Sequence, residues 1–349
     1  DMIQGRTVRL KAGRFFCGND TDTEGRDLSG LDISFDVTRS VEFYDNCATI
    51  DIYNASPDTI GWLMGDGNSV ILEAGSGDDV GKIFVGQIAM VKTERDGAGY
   101  RTTLTCVSAR GAFYQLSRLH VAVAFEKGTS VRECLDTLCS YAGIALRAGF
   151  SDFLDEGIPW NFNESGSFRA VAKHFAEYVL SPYFRKKIYI DNNEMIVMDF
   201  ANSVQLEETI LDYSSGLLSA TEKRDETLNR GSFREDTEHY LRSEQEEQSA
   251  AEDQKDSGTN APKNSKVERI DRPREIEFRA LLTPRIAPNV FCEVDSRTGG
   301  AYDSVLAVHG RFVVTRAEYS GSNFGGEFSV SCEACEVEQL KKDKGGAGA

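Results

Sequence analysis

Residues 310–334 read GRFVVTRAEYSGSNFGGEFSVSCEA, and residues 86–109 read GQIAMVKTERDGAGYRTTLTCVSA. Laid glycine to glycine, the two stretches put Ile88 opposite Phe312, Met90 opposite Val314, Lys92 opposite Arg316 and Glu94 opposite Glu318. A two-residue difference at the turn then brings Leu104 to Val330, Thr105 to Ser331 and Cys106 to Cys332. Each stretch is predicted to be a β-hairpin. The recurrence predicts two similar β domains in one chain.

The first arm of each hairpin is apolar on both faces: Ile88 and Met90 against Ala89 and Val91, then Phe312 and Val314 against Val313. A strand half in water alternates, so these arms are expected to be covered twice. One face fills its own barrel, and the other needs the sister domain or another subunit. The second arm alternates, with Phe328, Val330, Cys332 and Ala334 against Ser329, Ser331 and Glu333. Its polar face is expected to meet water or a wet lumen.

Outward from the first hairpin, DISFDVTRSVEFYD and CATIDIYN carry strand residues, as do SVILEAG, KIFVGQIAMVKTE and YRTTLTCVS. Ser56 and Pro57 open a short helix as its cap and first residue. The middle of the chain differs. Ser130 and Glu133 have capping-box spacing, Val131, Cys134, Leu135, Leu138 and Ala142 share one helix face, and Gly143 ends that helix. FRAVAKHFAEYVL predicts a second helix, with Phe168, Val171, Ala172, Phe175 and Val179 on one side. KKIYIDNNEMIVMDF predicts a hairpin turning at Asn192-Asn193.

The expected fold class is therefore mainly β (α+β): two β-barrel domains with an intervening small α/β module. The first barrel is assigned to residues 1–112, the α/β module to 113–205, and the second barrel to 206–232 with 276–340. Residues 233–275 are polar, charged and poor in large apolar side chains, which predicts an acidic, mobile insertion; 341–349 read as a flexible tail.

The chain has 349 residues, enough for two or three cores, and a net charge of −17, which disfavours binding phosphate by charge attraction. No stretch approaches the ~20 apolar residues that span a bilayer, and the first residues lack the apolar run of a secretory signal, so this chain is not expected to insert in a membrane. Eight scattered cysteines do not make a disulfide scaffold at this length.

Several motifs imitate sites. GSGDDVGK has Ser76 where a phosphate loop needs its first glycine, Ile83 where it needs Ser or Thr, and the repelling Asp78 and Asp79. A hairpin turn is expected there. Asp20, Asp22, Glu24 and Gly25 sit at calcium-loop offsets, but Leu31 occupies the twelfth position, so a solvated acidic loop is expected. Cys332 and Cys335 form a CxxC in a strand, where residues three apart face opposite ways. Cys134 and Cys139 lie about 140° apart around a helix. The four histidines, His120, His174, His239 and His309, make no metal spacing. No catalytic, cofactor-binding or metal-binding residue is assigned, and no cofactor is expected.

The order of these blocks, from SFDVTRSVEFYDNCATIDIYNASPDTIGWL through VILEAGSGDDVGKIFVGQI, FEKGTSVRECLDTLCSYAGI and FRAVAKHFAEYVL to GRFVVTRAEYSGSNFGGEFSVSCEA, resembles the bacteriophage baseplate (tail) hub family over nearly the whole chain. That resemblance implies tail-tube-like tandem β-barrels and a homotrimer whose six barrels match a sixfold tube above and a threefold spike below. It implies a structural protein without catalysis, in the baseplate of a virion tail assembled in the host cytoplasm. The implied partners are tail tube or distal tail proteins, the central spike protein and other baseplate components, with DNA only as transient cargo in the lumen. The acidic insertion has no match in the family.

Two other classes stand beside it. Abundant carboxylates allow a glycosidase-spaced pair, hence a tail-associated peptidoglycan hydrolase. A carbohydrate-binding module of a surface complex would expose aromatic residues such as Trp62, expected in the core, and Trp160, expected in a loop.

Overall fold

A computed structural model of the chain describes residues 5–13, 25–42, 46–65, 69–108, 119–148, 152–184, 186–199, 209–223 and 274–336. The fold is mainly β. The first stretch of strands is β1 (Arg6–Gly13), β2 (Arg26–Asp27), β3 (Asp32–Ser40), β4 (Cys47–Tyr53), β5 (Ser69–Ser76), β6 (Asp79–Asp96) and β7 (Gly99–Val107). Between β4 and β5, Ser56 accepts a hydrogen bond from the Thr59 amide and Pro57 opens α1 (Pro57–Leu63), as the residue types require.

The central module holds β8 (His120–Phe125), α2 (Val131–Ala142), β9 (Ala145–Ala148), β10 (Phe162–Ser167), α3 (Phe168–Phe175), β11 (Lys186–Asp191) and β12 (Glu194–Asp199). It has a core of its own around Leu135, Phe168 and Phe175. Ser130 caps α2 by accepting from the Glu133 amide, and Gly143 closes it at φ 66°. The predicted second helix is α-helical only to Phe175; it continues as a π-helix over Ala176–Phe184. Pro182 lies inside that stretch. An α-turn there would drive its ring into the Tyr178 carbonyl, and the wider winding relieves the crowding. The β11–β12 turn is Asn192-Asn193, both at positive φ, as a two-residue hairpin demands.

The remaining strands are β13 (Thr209–Leu211), β14 (Leu217–Lys223), β15 (Glu275–Leu281), β16 (Phe291–Asp295), β17 (His309–Ser322) and β18 (Phe328–Glu336). The expected insertion lies outside the described residues except for its end, where Glu275 already opens β15. The tail at 341–349 and the Asp20-Asp22-Glu24 loop also lie outside them.

Thirteen strands join in one sheet whose main path is β14-β15-β18-β17-β3-β4-β7-β6-β5-β1-β2. Within it a five-strand pattern occurs twice. Numbering strands A to E in chain order, β3 to β7 (with α1 between β4 and β5) lie as A-B-E-D-C, and so do β14 to β18. Every neighbouring pair in both sets is antiparallel. The sets meet where β3, the first A strand, pairs antiparallel with the C-terminal half of β17, the second D strand. One apolar core runs beneath both, from Ile33, Ile50 and Leu104 to Phe278, Phe312 and Val330.

Each quoted stretch is a D–E hairpin, and each carries one β-bulge in its long arm, at Ala89 and at Thr315. Laying bulge on bulge moves the glycine-anchored pairing by two residues in both arms: Ile88 corresponds to Val314, Val91 to Ala317 and Leu104 to Cys332. Burial agrees. Ile88 and Val91 both pack on the common core, as Val314 and Ala317 do. The expected faces are thereby corrected, because the extra residue at Ala89 turns Val91 to the side of Ile88 and leaves Met90 55% exposed. A shift of two preserves the alternation of faces, so sequence similarity tolerates it.

Candidate assembly interface

The sheet has a core face and a polar face. On the polar face Ser320 Oγ donates to Asp36 at 2.7 Å, Thr103 Oγ1 to Asp51 at 2.5 Å, and Lys223 Nζ lies 2.8 Å from Glu277 and 3.3 Å from Glu333. Glu94 receives Lys92 at 2.7 Å together with Arg101. These cations hold the Glu94 carboxyl at a pKa of about 2, well under the usual carboxylate range.

Hydrogen bonds and arginine partners depress Asp27, Asp212, Asp303, Glu327 and Glu336 in the same direction. A carboxyl lowered in the folded state stabilises it fully above the ordinary value and loses that contribution as pH falls through the lowered one. Urea unfolding midpoints are therefore expected to hold from neutral pH to about 4.5 and fall between there and about 2. A flat profile across that window would contradict these assignments.

The opposite face of the long arm is covered where β17 begins, as its double apolarity requires. The cover is the central module, in place of the expected sister domain or second subunit: its Tyr189 and Met198 pack with Val313, Phe291 and Val41. The tip of the module's β11–β12 hairpin is bound polar-to-polar. Asn192 Oδ1 accepts from the Val85 amide at 2.9 Å, and the Asn193 amide donates to Ser108 Oγ.

Beside that tip, Asp191 takes both Nε and Nη2 of Arg39, at 3.1 and 2.6 Å, and Asn46 Nδ2 at 3.0 Å. Arg39 Nη1 donates to the Tyr319 hydroxyl, which donates in turn to the Ile286 carbonyl. Arg39 and Tyr319 lie on the β3–β17 seam, Asp191 on the hairpin that reaches it, and Asn46 just before β4. Burial opposes the guanidinium's charge, but Asp191 and Tyr319 outweigh it and raise the Arg39 pKa above its ordinary value. The node thus fixes both halves of the sheet and the module in one arrangement. Sequence reading overlooked it, although Arg39 follows Ile33, Phe35 and Val37 at the inward parity of one strand, where a charge calls for a buried partner.

Several strand edges have no partner among the described residues, and two of them lie on an A and a D strand of the repeated pattern. One is the outer edge of β14, which pairs only with β15. The other is the outer edge of β6 from residue 88 to 96, since β5 pairs with β6 only as far as Gln87.

Gly77-Asp78 is the β5–β6 hairpin turn expected of GSGDDVGK. Cys332 faces the common core and Cys335 the module side. Cys134 and Cys139, expected to diverge, both enter the module core, where the Cys139 thiol reaches Met195 Sδ at 3.7 Å. His174 Nδ1 lies 2.7 Å from Glu164. Trp62 packs on the common core under Arg26, while Trp160 is 43% exposed beside Tyr183. Among the described residues no group of three His, Cys, Asp or Glu is placed to hold a metal ion, and no helix is long and apolar enough to cross a membrane.

No protein-family model matches the sequence, and no curated protein sequence is significantly similar to it. Solved structures are. The tail protein from Neisseria meningitidis MC58 superposes with a TM-score of 0.55 at 11% identity, covering 95% of this chain and 96% of that one. The chain shares a phage tail protein fold. The 43 kDa tail protein of prophage MuSo2 from Shewanella oneidensis gives 0.52 at 10% identity over 95% and 97% of the two chains. An E. coli component of the type VI secretion system, described as structurally similar to T4 bacteriophage tail proteins gp27 and gp5, gives 0.52 at 10% identity over 88% and 74%.

Proposed function

We propose that this tail-fold chain is a baseplate hub subunit, of which three copies form a ring that links the tail tube to the central spike and adapts sixfold to threefold symmetry. The observation that carries the reading is the A-B-E-D-C pattern occurring twice in one sheet, joined head to tail at β3–β17. Three such chains present six equivalent faces. Residues 1–112 and 206–232 with 276–340 are then sibling barrels, with residues 113–205 as the module that braces them.

The polar face of the sheet lines the bore, and with a net charge of −17 the ring lets DNA pass as cargo without adhering. The role is structural, within a virion tail. The likeness to tail proteins, and to a secretion component compared with gp27 and gp5, supports partners on both sides of the ring, a tube protein and a spike.

Native mass spectrometry and negative-stain microscopy of the purified full chain test the reading. A three-copy ring with a central bore is expected. A strict monomer at high concentration, or release of fragments from purified peptidoglycan, would overturn it.

A further inference from the structure

We infer that copies of this chain join by strand addition: the outer edge of β14 (Leu217–Lys223) in one copy pairs antiparallel with the outer edge of β6, residues 88–96, in the next. The inference rests on the ring reading above and adds to it the two edges and their register.

The chain supplies its own template. At the internal seam an A strand, β3, lies antiparallel on the C-terminal half of a D strand, β17, through seven residue pairs from Arg316–Ser40 to Ser322–Ser34. The counterpart of β3 is β14, itself seven residues long. The counterpart of the seam half of β17 is the stretch of β6 beyond its bulge. Each of these two edges lacks a partner among the described residues. An open edge leaves amides and carbonyls unpaired along its length, a state that folded proteins either cover or use.

Burial records the missing strand. Under β3, Ala317 is 0% and Tyr319 1% exposed. Their counterparts on β6, Val91 and Thr93, are only half-buried, and Met90 beside them is exposed.

The two edges differ from each other and occur once per copy, so the contact is head-to-tail. Such a contact closes into a ring when its rotation allows. Each ring position then alternates a seam within a chain and a seam between chains, both built from the same A and D strands.

The internal register carries over through the two bulges and the A–B and B–E pairings. The Tyr319–Val37 pair becomes Thr93 with the next copy's Glu222, and the Ser320–Asp36 pair becomes Glu94 with Thr221. Lys92 and Lys223 then face one another on the polar side, with Glu94, Glu277 and Glu333 around them. Lys223 comes diagonal to Glu94, within the ~7–8 Å reach of such neighbours.

The test is a cysteine pair, Glu94→Cys with Thr221→Cys, in the full chain carrying Cys47→Ser to remove an exposed thiol. Mild oxidation is expected to give covalent multimers on denaturing gels that collapse on reduction, with neither single variant giving them. Moving the second cysteine one pleat, to Ser219→Cys, is expected to lower the yield several-fold. Native mass of the same samples separates the two ideas. Multimers in solution without a cross-link would overturn the strand pairing and leave the ring standing. Equal yields at both positions would overturn the register, and a monomer at every concentration would overturn the ring and the pairing together.

Discussion

Arg39→Ala and Asp191→Ala are each expected to lower the unfolding free energy by about 3–5 kcal/mol, because each leaves the other charge buried without its partner. The side chains are 8% and 2% exposed, so water cannot replace what is removed. Asp191→Ala also strips an acceptor from Asn46, and Arg39→Ala one donor from Tyr319. Urea unfolding followed by tryptophan fluorescence measures the loss. Replacing both charges together with apolar residues, Arg39→Met with Asp191→Leu, is expected to recover most of it, since the pair's attraction is largely offset by its own desolvation. A loss under about 1 kcal/mol in the single variants would mean that the node is wetter than its burial implies.

Phe312→Ala carries the second large effect, also about 3–5 kcal/mol, through lost burial and the cavity left in the common core. Phe312 is fully buried at the entry to the second hairpin. Its bulge-aligned counterpart is Gly86, and the two halves fill that place differently. A Cβ on Gly86 would sit 2.5 Å from the Val107 carbonyl and 2.6 Å from the Phe84 ring, so Phe84 already occupies the space. Phe84→Ala is expected to cost the first half what Phe312→Ala costs the second. A two-probe unfolding experiment that found either variant near wild type would show the core repacking around the gap.

Much of the architecture was legible. The hairpins, the capped helices α1 and α2 and the Asn192-Asn193 turn follow from local rules, and the structure has them where Ser56, Pro57, Ser130 and Gly143 place them. The less legible elements lacked a local signal. β10, FNESGS, has one buried apolar residue and a glycine, and it is a strand because β8 supplies its partner. The bulges at Ala89 and Thr315 are set by the whole ladder, which is why the repeat aligned two residues off. The interface was the least legible part. A sequence shows that a strand is amphipathic, but only the ladder shows which of its edges is taken, and the Arg39–Asp191 contact joins residues 152 apart in the chain.

The seam between β3 and β17 lies inside one polypeptide, so dilution would not part it in the proposed ring. A contact tethered in this way forms at an effective concentration fixed by the chain, whatever the number of molecules in the tube. In the proposed ring, thinning the solution would part only the joints between separate molecules, so the smallest product of disassembly would be a matched couple of siblings, never an orphaned half.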